Sequence, residues 1–238
     1  MKVETAMVMA AGLGTRMRPL TDHMPKPLVE VAGKPLIEYA FDKLRLAGVR
    51  KAVVNVHYLP DQVEAYLADC GGDLDIQISD ERALLLETGG GLVQALRYIN
   101  GEPFYCINSD AIWTDDDVDA LIRMARAWDS KSMDGLLLLV PRARAFNHRG
   151  AGDFSVDDHD RPVRRGAASD APYVYTGIQL LSRAFLDDPP TGPFSTNILW
   201  DRAIAKGRLY ALEHQGDWFD IGSPEAIAPT EEALRRRG

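Results

Sequence analysis

Short apolar runs and amphipathic stretches alternate along this chain, separated by breaks rich in glycine and proline. Ala6-Met7-Val8-Met9-Ala10 has the continuous apolar character of a buried strand and stops at Gly12. Residues 11–34 then follow neither a strand nor a helix period. From Pro35 onward Leu36, Ala40, Leu44 and Ala47 recur every three or four residues, which predicts a helix with proline in its first turn and Gly48 at its end. Lys51 to Val56 reads as a second strand, Pro60 to Leu67 as a short helix and Leu74 to Ile78 as a third strand. Thr88-Gly89-Gly90-Gly91 precedes Leu92, Ala95 and Leu96 at helical spacing, and Phe104-Tyr105-Cys106-Ile107 is a buried strand ending in Asn108-Ser109-Asp110. Thr114 is placed to cap the next helix, with Asp115, Asp116 and Asp117 favouring its positive end. Leu136 to Val140, Tyr173 to Leu181 and Leu209 to Leu212 are further strands, Asn197 to Ala205 is a helix, and Pro224 to Arg237 predicts a helical tail with a basic end. Strands and helices in this order form a sheet covered by helices. The pattern lapses between 141 and 172, where Asp157-Asp158-His159-Asp160 reads as a turn between short strands of a peripheral insertion.

Composition narrows the class. Of 238 residues 46% are hydrophobic and 26% charged, which suits one globular α/β domain over 1–238 and gives no support to disorder or a fibre. The start lacks the apolar core of a secretory signal and no apolar run approaches membrane-spanning length, so a cytoplasmic protein is expected. Cys70 and Cys106 stand in no CxxC spacing and read as reduced thiols rather than a disulfide or zinc site. The net charge of -8 disfavours a nucleic-acid surface, yet a local nest of amides and cations can still hold a nucleotide. Monomer and homodimer stay equally open.

The stretch from Gly12 carries the candidate chemistry. In Gly12-Leu13-Gly14-Thr15-Arg16-Met17-Arg18-Pro19 the glycines let backbone amides approach phosphate oxygens, and Arg16 offers a fork of charged donors. Met17 stands where a dinucleotide fingerprint has its third glycine, and no Gly-Lys-Ser/Thr follows, so neither that motif nor a Walker A loop is present. Arg18 either meets a terminal phosphate or supports the loop. Lys26 lies between Pro25 and Pro27, whose fixed φ angles leave it little freedom to lose on meeting an α-phosphate. A triphosphate brings a divalent cation, and Asp110 and Asp220 both sit where an apolar segment gives way to a turn. Sequence alone does not bring those two together. No G-x-S-x-G elbow or H-E-x-x-H pair competes; His57 either faces a ligand or is structural.

Taken together, Met9 to Thr21, Pro25-Lys26-Pro27-Leu28-Val29, Val31-Ala32-Gly33-Lys34-Pro35-Leu36-Ile37 and Asn108-Ser109-Asp110 resemble the nucleotide-sugar pyrophosphorylases, the sugar-1-phosphate nucleotidyltransferases. Leu86-Glu87-Thr88-Gly89-Gly90-Gly91 and Trp218-Phe219-Asp220-Ile221-Gly222 look most like the short uridylyltransferases that act on N-acetylmuramic acid 1-phosphate in cell-wall recycling. The resemblance implies a three-layer α/β/α Rossmann-like fold with a mostly parallel mixed sheet. It implies Mg2+-dependent attack of a sugar 1-phosphate on the α-phosphorus of a nucleoside triphosphate, UTP favoured, with release of pyrophosphate. Ala11, Gly12, Gly14 and Thr15 would then cradle the triphosphate, Arg16 would steady the departing pyrophosphate and Lys26 would meet the α-phosphate. Asp110 and Asp220 would hold the metal, Thr88, Gly89 and Gly90 would approach the base or ribose, and Asn108, Thr176 and Gly177 would line the acceptor sugar beside the 141–172 insertion.

Two departures from the family pattern stand out. Ser109 replaces the usual glycine before the metal-site aspartate, so its side chain must be accommodated. The family's Glu-Lys-Pro lysine is absent; Arg164 or Arg165 takes its place on the acceptor phosphate, or that phosphate is held elsewhere. The alternatives are mannose-1-phosphate guanylyl transfer or another short member's reaction and, outside enzymes, a nucleotide-binding module.

Overall fold

Both faces of the central sheet are covered by helices, which is why its strands read as unbroken apolar runs. The structure is a computed structural model that describes residues 1–70 and 72–236; the Cys70 side chain and the last arginine of the basic run, Arg237, lie outside the described residues. In chain order the elements are β1 (Thr5–Met9), β2 (Glu30–Val31), β3 (Lys34–Pro35), α1 (Leu36–Leu46), β4 (Lys51–Val56), α2 (Pro60–Cys70), β5 (Asp75–Asp80), α3 (Glu87–Ala95), β6 (Phe104–Asn108) and β7 (Ala111–Trp113). There follow α4 (Ala120–Ala127), β8 (Gly135–Pro141), β9 (Ala145–Phe146), β10 (Phe154–Val156), β11 (Pro162–Arg164), β12 (Tyr173–Leu181), α5 (Asn197–Ala205), β13 (Leu209–Glu213), β14 (Trp218–Asp220) and α6 (Ile227–Arg235).

The main sheet runs β13-β8-β12-β6-β1-β4-β5. Strands β6, β1, β4 and β5 are parallel, β13 is parallel to β8, and β12 runs against both its neighbours. The expected hairpin in the 141–172 region is β10–β11, which joins the sheet at the amino end of β12. This is the three-layer α/β/α architecture with a mostly parallel mixed sheet.

Period-two alternation sends neighbouring side chains to opposite layers. Ala6 and Val8 pack with Phe41 and Leu44 of α1 and with Leu121 and Met124 of α4. Met7 packs with Leu92 and Ala95 of α3 and with Leu199 and Trp200 of α5. A third, smaller core gathers Met17, Val29, Val31 and Leu36 from the irregular stretch with Ile112, Phe219, Ile221 and Ala226. It fastens the glycine-rich loop to β7, β14 and the start of the last helix.

One expected cap is elsewhere. The helix after β7 begins at Ala120, and Asp119 caps it by accepting from the amides of Leu121 and Ile122. Thr114 is instead tied to Asp217, its amide donating to that carbonyl at 2.9 Å and its hydroxyl oxygen accepting at 3.2 Å. Asp115 does serve the helix start, accepting from Ala120 N at 2.8 Å, and also pairs with Lys43. Among the described residues no helix is long and apolar enough to cross a membrane.

Candidate active site

After β5 the chain crosses back over β1 to place β6 on its other side, so the carboxyl ends of β1 and β6 flank the point where open α/β sheets form a ligand crevice. Met9 and Asn108 are register partners there. A cavity of about 380 Å³ opens at this edge, and six of the sequence-predicted residues line it: Ala11, Gly12, Lys26, Thr88, Asn108 and Asp110. Ser109 also lines it; its hydroxymethyl group fits while its amide donates to Met9 O at 3.1 Å.

Lys26 Nζ is ion-paired with Asp110 Oδ2. The lysine side chain is 14% exposed and the aspartate 33%, so both charges can be reached from the cavity while they neutralise each other. Gly14, at φ +63°, lies so close to this segment that a Cβ would sit 3.0 Å from Lys26 Cβ and 3.1 Å from Thr21. Its carbonyl accepts from Thr21 Oγ1 and Met17 N. Gly14 and Thr15 therefore brace the loop and do not line the cavity. Met17 occupies the third-glycine position because it is the loop's buried anchor in the third core. Arg18 pairs with Asp22 at 3.3 Å on the surface, which favours the loop-supporting alternative.

A buried relay, unmarked in the sequence reading, ties this loop to α3. Ala10 N donates to Asn55 Oδ1 at 2.7 Å, Asn55 Nδ2 donates to Glu81 Oε1 at 2.7 Å, and Leu86 N donates to Glu81 Oε2 at 3.1 Å. Burial raises the Glu81 carboxyl above its ordinary range, and the hydrogen bonds from Asn55 and Leu86 work against that shift. The available signal was Asn55, one polar residue inside the apolar run Ala52 to Val56. Gly91 permits the close approach: a Cβ there would lie 2.7 Å from Glu81 Oε1 and 3.0 Å from Asn55 Nδ2, atoms already held by partners. Gly91→Ala is therefore expected to destabilise the fold by roughly 1–3 kcal/mol through overpacking. Urea unfolding checks this, and an unchanged midpoint would count against the packing argument.

Gly89 and Gly90 lie inside α3 and are buried. A Cβ on Gly89 would strike the Phe194 ring at 2.3 Å, one on Gly90 would meet Gly192 O at 2.8 Å, and both amides donate to Phe194 O. From this segment it is Glu87 and Thr88 that reach the cavity wall. His57 is 2.8 Å from Glu81 O through Nδ1 and has a structural partner.

Asp220 enters through β14, which runs antiparallel to β7 with Asp220 directly opposite Ala111, the residue after Asp110. Such partners have Cα atoms about 4.5–5.5 Å apart, so the pairing brings the Asp220 backbone beside that of the residue next to Asp110. Arg16 lies close to Asp220: a Cβ on Gly222 would lie 2.9 Å from Asp220 Oδ1 and 3.2 Å from Arg16 Nη1. Arg16 and Asp220 line a second cleft of about 390 Å³. Among the described residues no three His, Cys, Asp or Glu side chains converge, so a cation here would rely on two carboxylates and on ligand oxygens. That donor set fits magnesium.

A recess of about 190 Å³ shares Met9, Thr88, Asn108 and Ser195 with the first cavity. Its far wall is aromatic: Trp200 meets Tyr175 edge-on at 4.7 Å and donates Nε1–H to Gln179 at 2.9 Å. Cys106 also lines it; burial pushes that free thiol up to about 12, too high for a nucleophile. Arg164 lies 5.6 Å from the Trp200 ring centre, bonds Asn197 and pairs with Asp201. Arg165 is committed to the carbonyls of Gly152 and Ala168. Of the two arginines, then, Arg164 borders the recess. Thr176 is buried, donating to Leu138 O, and Gly177 at φ +80° lies against Asn108, where a Cβ would sit 2.8 Å from Nδ2. Gly177 therefore backs up Asn108, Thr176 is tied to the neighbouring strand, and neither lines the recess.

The family model described as "Nucleotidyl transferase" matches residues 5–150. The chain is 42% identical to the N-acetylmuramate alpha-1-phosphate uridylyltransferase of Caulobacter vibrioides over 96% of each chain. It is 36% identical to the enzyme of the same name from Neisseria meningitidis serogroup B, over 92% of this chain and 93% of that one. Among solved structures it is similar in fold to the inositol-1-phosphate CTP transferase from T. maritima, with a TM-score of 0.82 at 19% identity, covering 99% of this chain and 96% of the other.

Proposed function

Because the chain belongs to the nucleotidyl transferase family, we propose that it transfers the uridylyl group of UTP to N-acetylmuramic acid 1-phosphate, forming UDP-N-acetylmuramic acid and pyrophosphate. The observation that carries this choice is similarity along nearly the entire length to two uridylyltransferases of that specificity. The site's geometry supports the chemistry. Asn108 and Thr88 lead from the main cavity to the recess, while Asp110 leads through the β7–β14 pair to the cleft of Arg16. In this reading the acceptor enters from the recess and pyrophosphate departs toward the cleft of Arg16, as in-line displacement requires.

A sugar phosphate is already an anion, so no protein nucleophile is needed; the barrier lies in alignment and in charge at the α-phosphate. Gly12 offers open backbone to the triphosphate, and Lys26 turns from Asp110 toward the α-phosphate. Asn108 and Arg164 border the acceptor. Asp110 and Asp220 are the residues that would hold magnesium, which when bound would offset phosphate charge. The proposed reaction belongs in the cytoplasm, where UTP is available, and in the recycling of cell-wall sugars.

Pyrophosphate release with UTP, GTP, CTP and dTTP crossed against the 1-phosphates of N-acetylmuramic acid, N-acetylglucosamine, mannose and glucose tests the choice. The expected result is a clear preference for UTP with the muramic substrate. Preference for another pair would replace the substrate assignment.

A further inference from the structure

The second cleft contains two guanidinium groups, Arg16 and Arg149, neither with an ion-pair or hydrogen-bond partner among the described residues. Most other arginines near the site are committed: Arg18 to Asp22, Arg144 to Asp116, Arg164 to Asp201 and Arg165 to carbonyls. Arg149 is also held in place by its backbone neighbours. Strand β9 pairs in parallel with β14, matching Ala145 to Trp218 and Phe146 to Phe219, and the Phe146 and Phe219 rings stack at 5.3 Å. Asn147, at φ +63°, donates to Thr230 Oγ1 at 3.0 Å, and His148 Nδ1 lies 3.6 Å from Asp220 Oδ2. Gly150 leaves room for that imidazole, since a Cβ there would be 2.4 Å from His148 Nε2. The loop is thus fixed alongside the strand that carries Asp220. Glu225 also faces the cleft; the hydrogen bond from Ser223 and then the nearby charge of Arg149 hold its carboxyl below the ordinary range, so the cleft holds one carboxylate that Arg149 already feels.

We infer that this cleft holds the departing pyrophosphate and that Arg149 is its second cationic anchor beside Arg16. The inference rests on the nucleotidyl-transfer reading but not on the choice of UTP or of the sugar. In that step an oxygen of the sugar phosphate forms a bond to the α-phosphorus, the bond from that phosphorus to the α–β bridging oxygen breaks, and the electron pair stays on pyrophosphate. No proton or further reactant is required. The developing charge falls on the group nearest Arg16, and a second guanidinium fork matches the many oxygens of a diphosphate. The 141–172 segment, read from sequence as bordering the acceptor, therefore also serves the leaving group.

The test is calorimetric titration of inorganic pyrophosphate into the wild-type protein, Arg149→Gln and Arg149→Lys, with steady-state KM values for the sugar phosphate alongside. Arg149→Gln is expected to weaken pyrophosphate binding about 10- to 100-fold, the scale of a lost charged hydrogen bond, with the KM for the sugar phosphate and the thermal midpoint unchanged. Arg149→Lys should retain part of the affinity. Equal pyrophosphate affinity in wild type and Arg149→Gln would overturn the inference, as would a wild type that does not bind pyrophosphate. A raised KM for the sugar phosphate with pyrophosphate binding intact would give the cleft to the acceptor instead. Pyrophosphate is common to every donor, so a wrong base or sugar leaves this test standing.

Discussion

Lys26→Ala should lower turnover about 100- to 1000-fold, the cost of removing one well-placed donor from a site of developing charge. The fold should survive. The alanine keeps the Cβ that packs beside Gly14, and the turn at 26–28 is held by backbone bonds from Leu28 N to Pro25 O and from Val29 N to Lys26 O. The loss should fall mainly on kcat, because in the proposed role Lys26 leaves Asp110 to meet charge that develops at the α-phosphate in the transition state. Steady-state kinetics with UTP varied at saturating sugar phosphate separates kcat from KM. A variant that keeps more than about a tenth of wild-type turnover would remove Lys26 from the proposed role, since the electrostatic argument demands much more.

Asp110→Asn should cost at least as much and should flatten the dependence of rate on magnesium. Asparagine keeps the shape of the side chain but not the charge that both Lys26 and a divalent cation require. Because Asp220 lies across the β7–β14 pair from the next residue, Asp220→Asn should behave alike. The double variant should then be little worse than either single one, as expected for residues acting as one unit. Rates measured over a range of magnesium concentrations decide the matter. Full magnesium-dependent activity in Asp110→Asn would exclude it as a ligand, and the same outcome in Asp220→Asn would exclude the second carboxylate.

The elements buried on both faces were the most legible. Lys51 to Val56 and Tyr173 to Leu181 have the same limits in sequence and structure because burial leaves an apolar mark at nearly every position, and the one-sided helix Asn197 to Ala205 does because its buried residues keep the helical period. Ala11, Gly12, Lys26 and Asp110 were legible because they lie next to such strands or in a proline-flanked turn. What escaped depends on contacts far apart in sequence. Thr114 and Asp119 are equally good caps on local grounds, and only the bonds between Thr114 and Asp217 decide between them. Gly89 to Gly91 advertise close approach, but their neighbours are Phe194, Gly192 and Glu81, which no local pattern names. Arg149 was hidden in a polar stretch whose one aromatic, Phe146, proves to be the hook that seats it on β14.

The third core carries a consequence for the order in which the protein is made. Met17, Val29 and Leu36 leave the ribosome before most of the main sheet is made, whereas Phe219, Ile221 and Ala226, against which they pack, follow only after β13. The third core therefore closes only after the main sheet has assembled, although the loop's bonds to Thr21 and Asn55 can form before it. A product halted after β13 would contain Gly12, Arg16, Lys26 and Asp110 and yet lack the apolar wall that holds them in register, so competence arrives with the last strand and helix rather than with the motif itself.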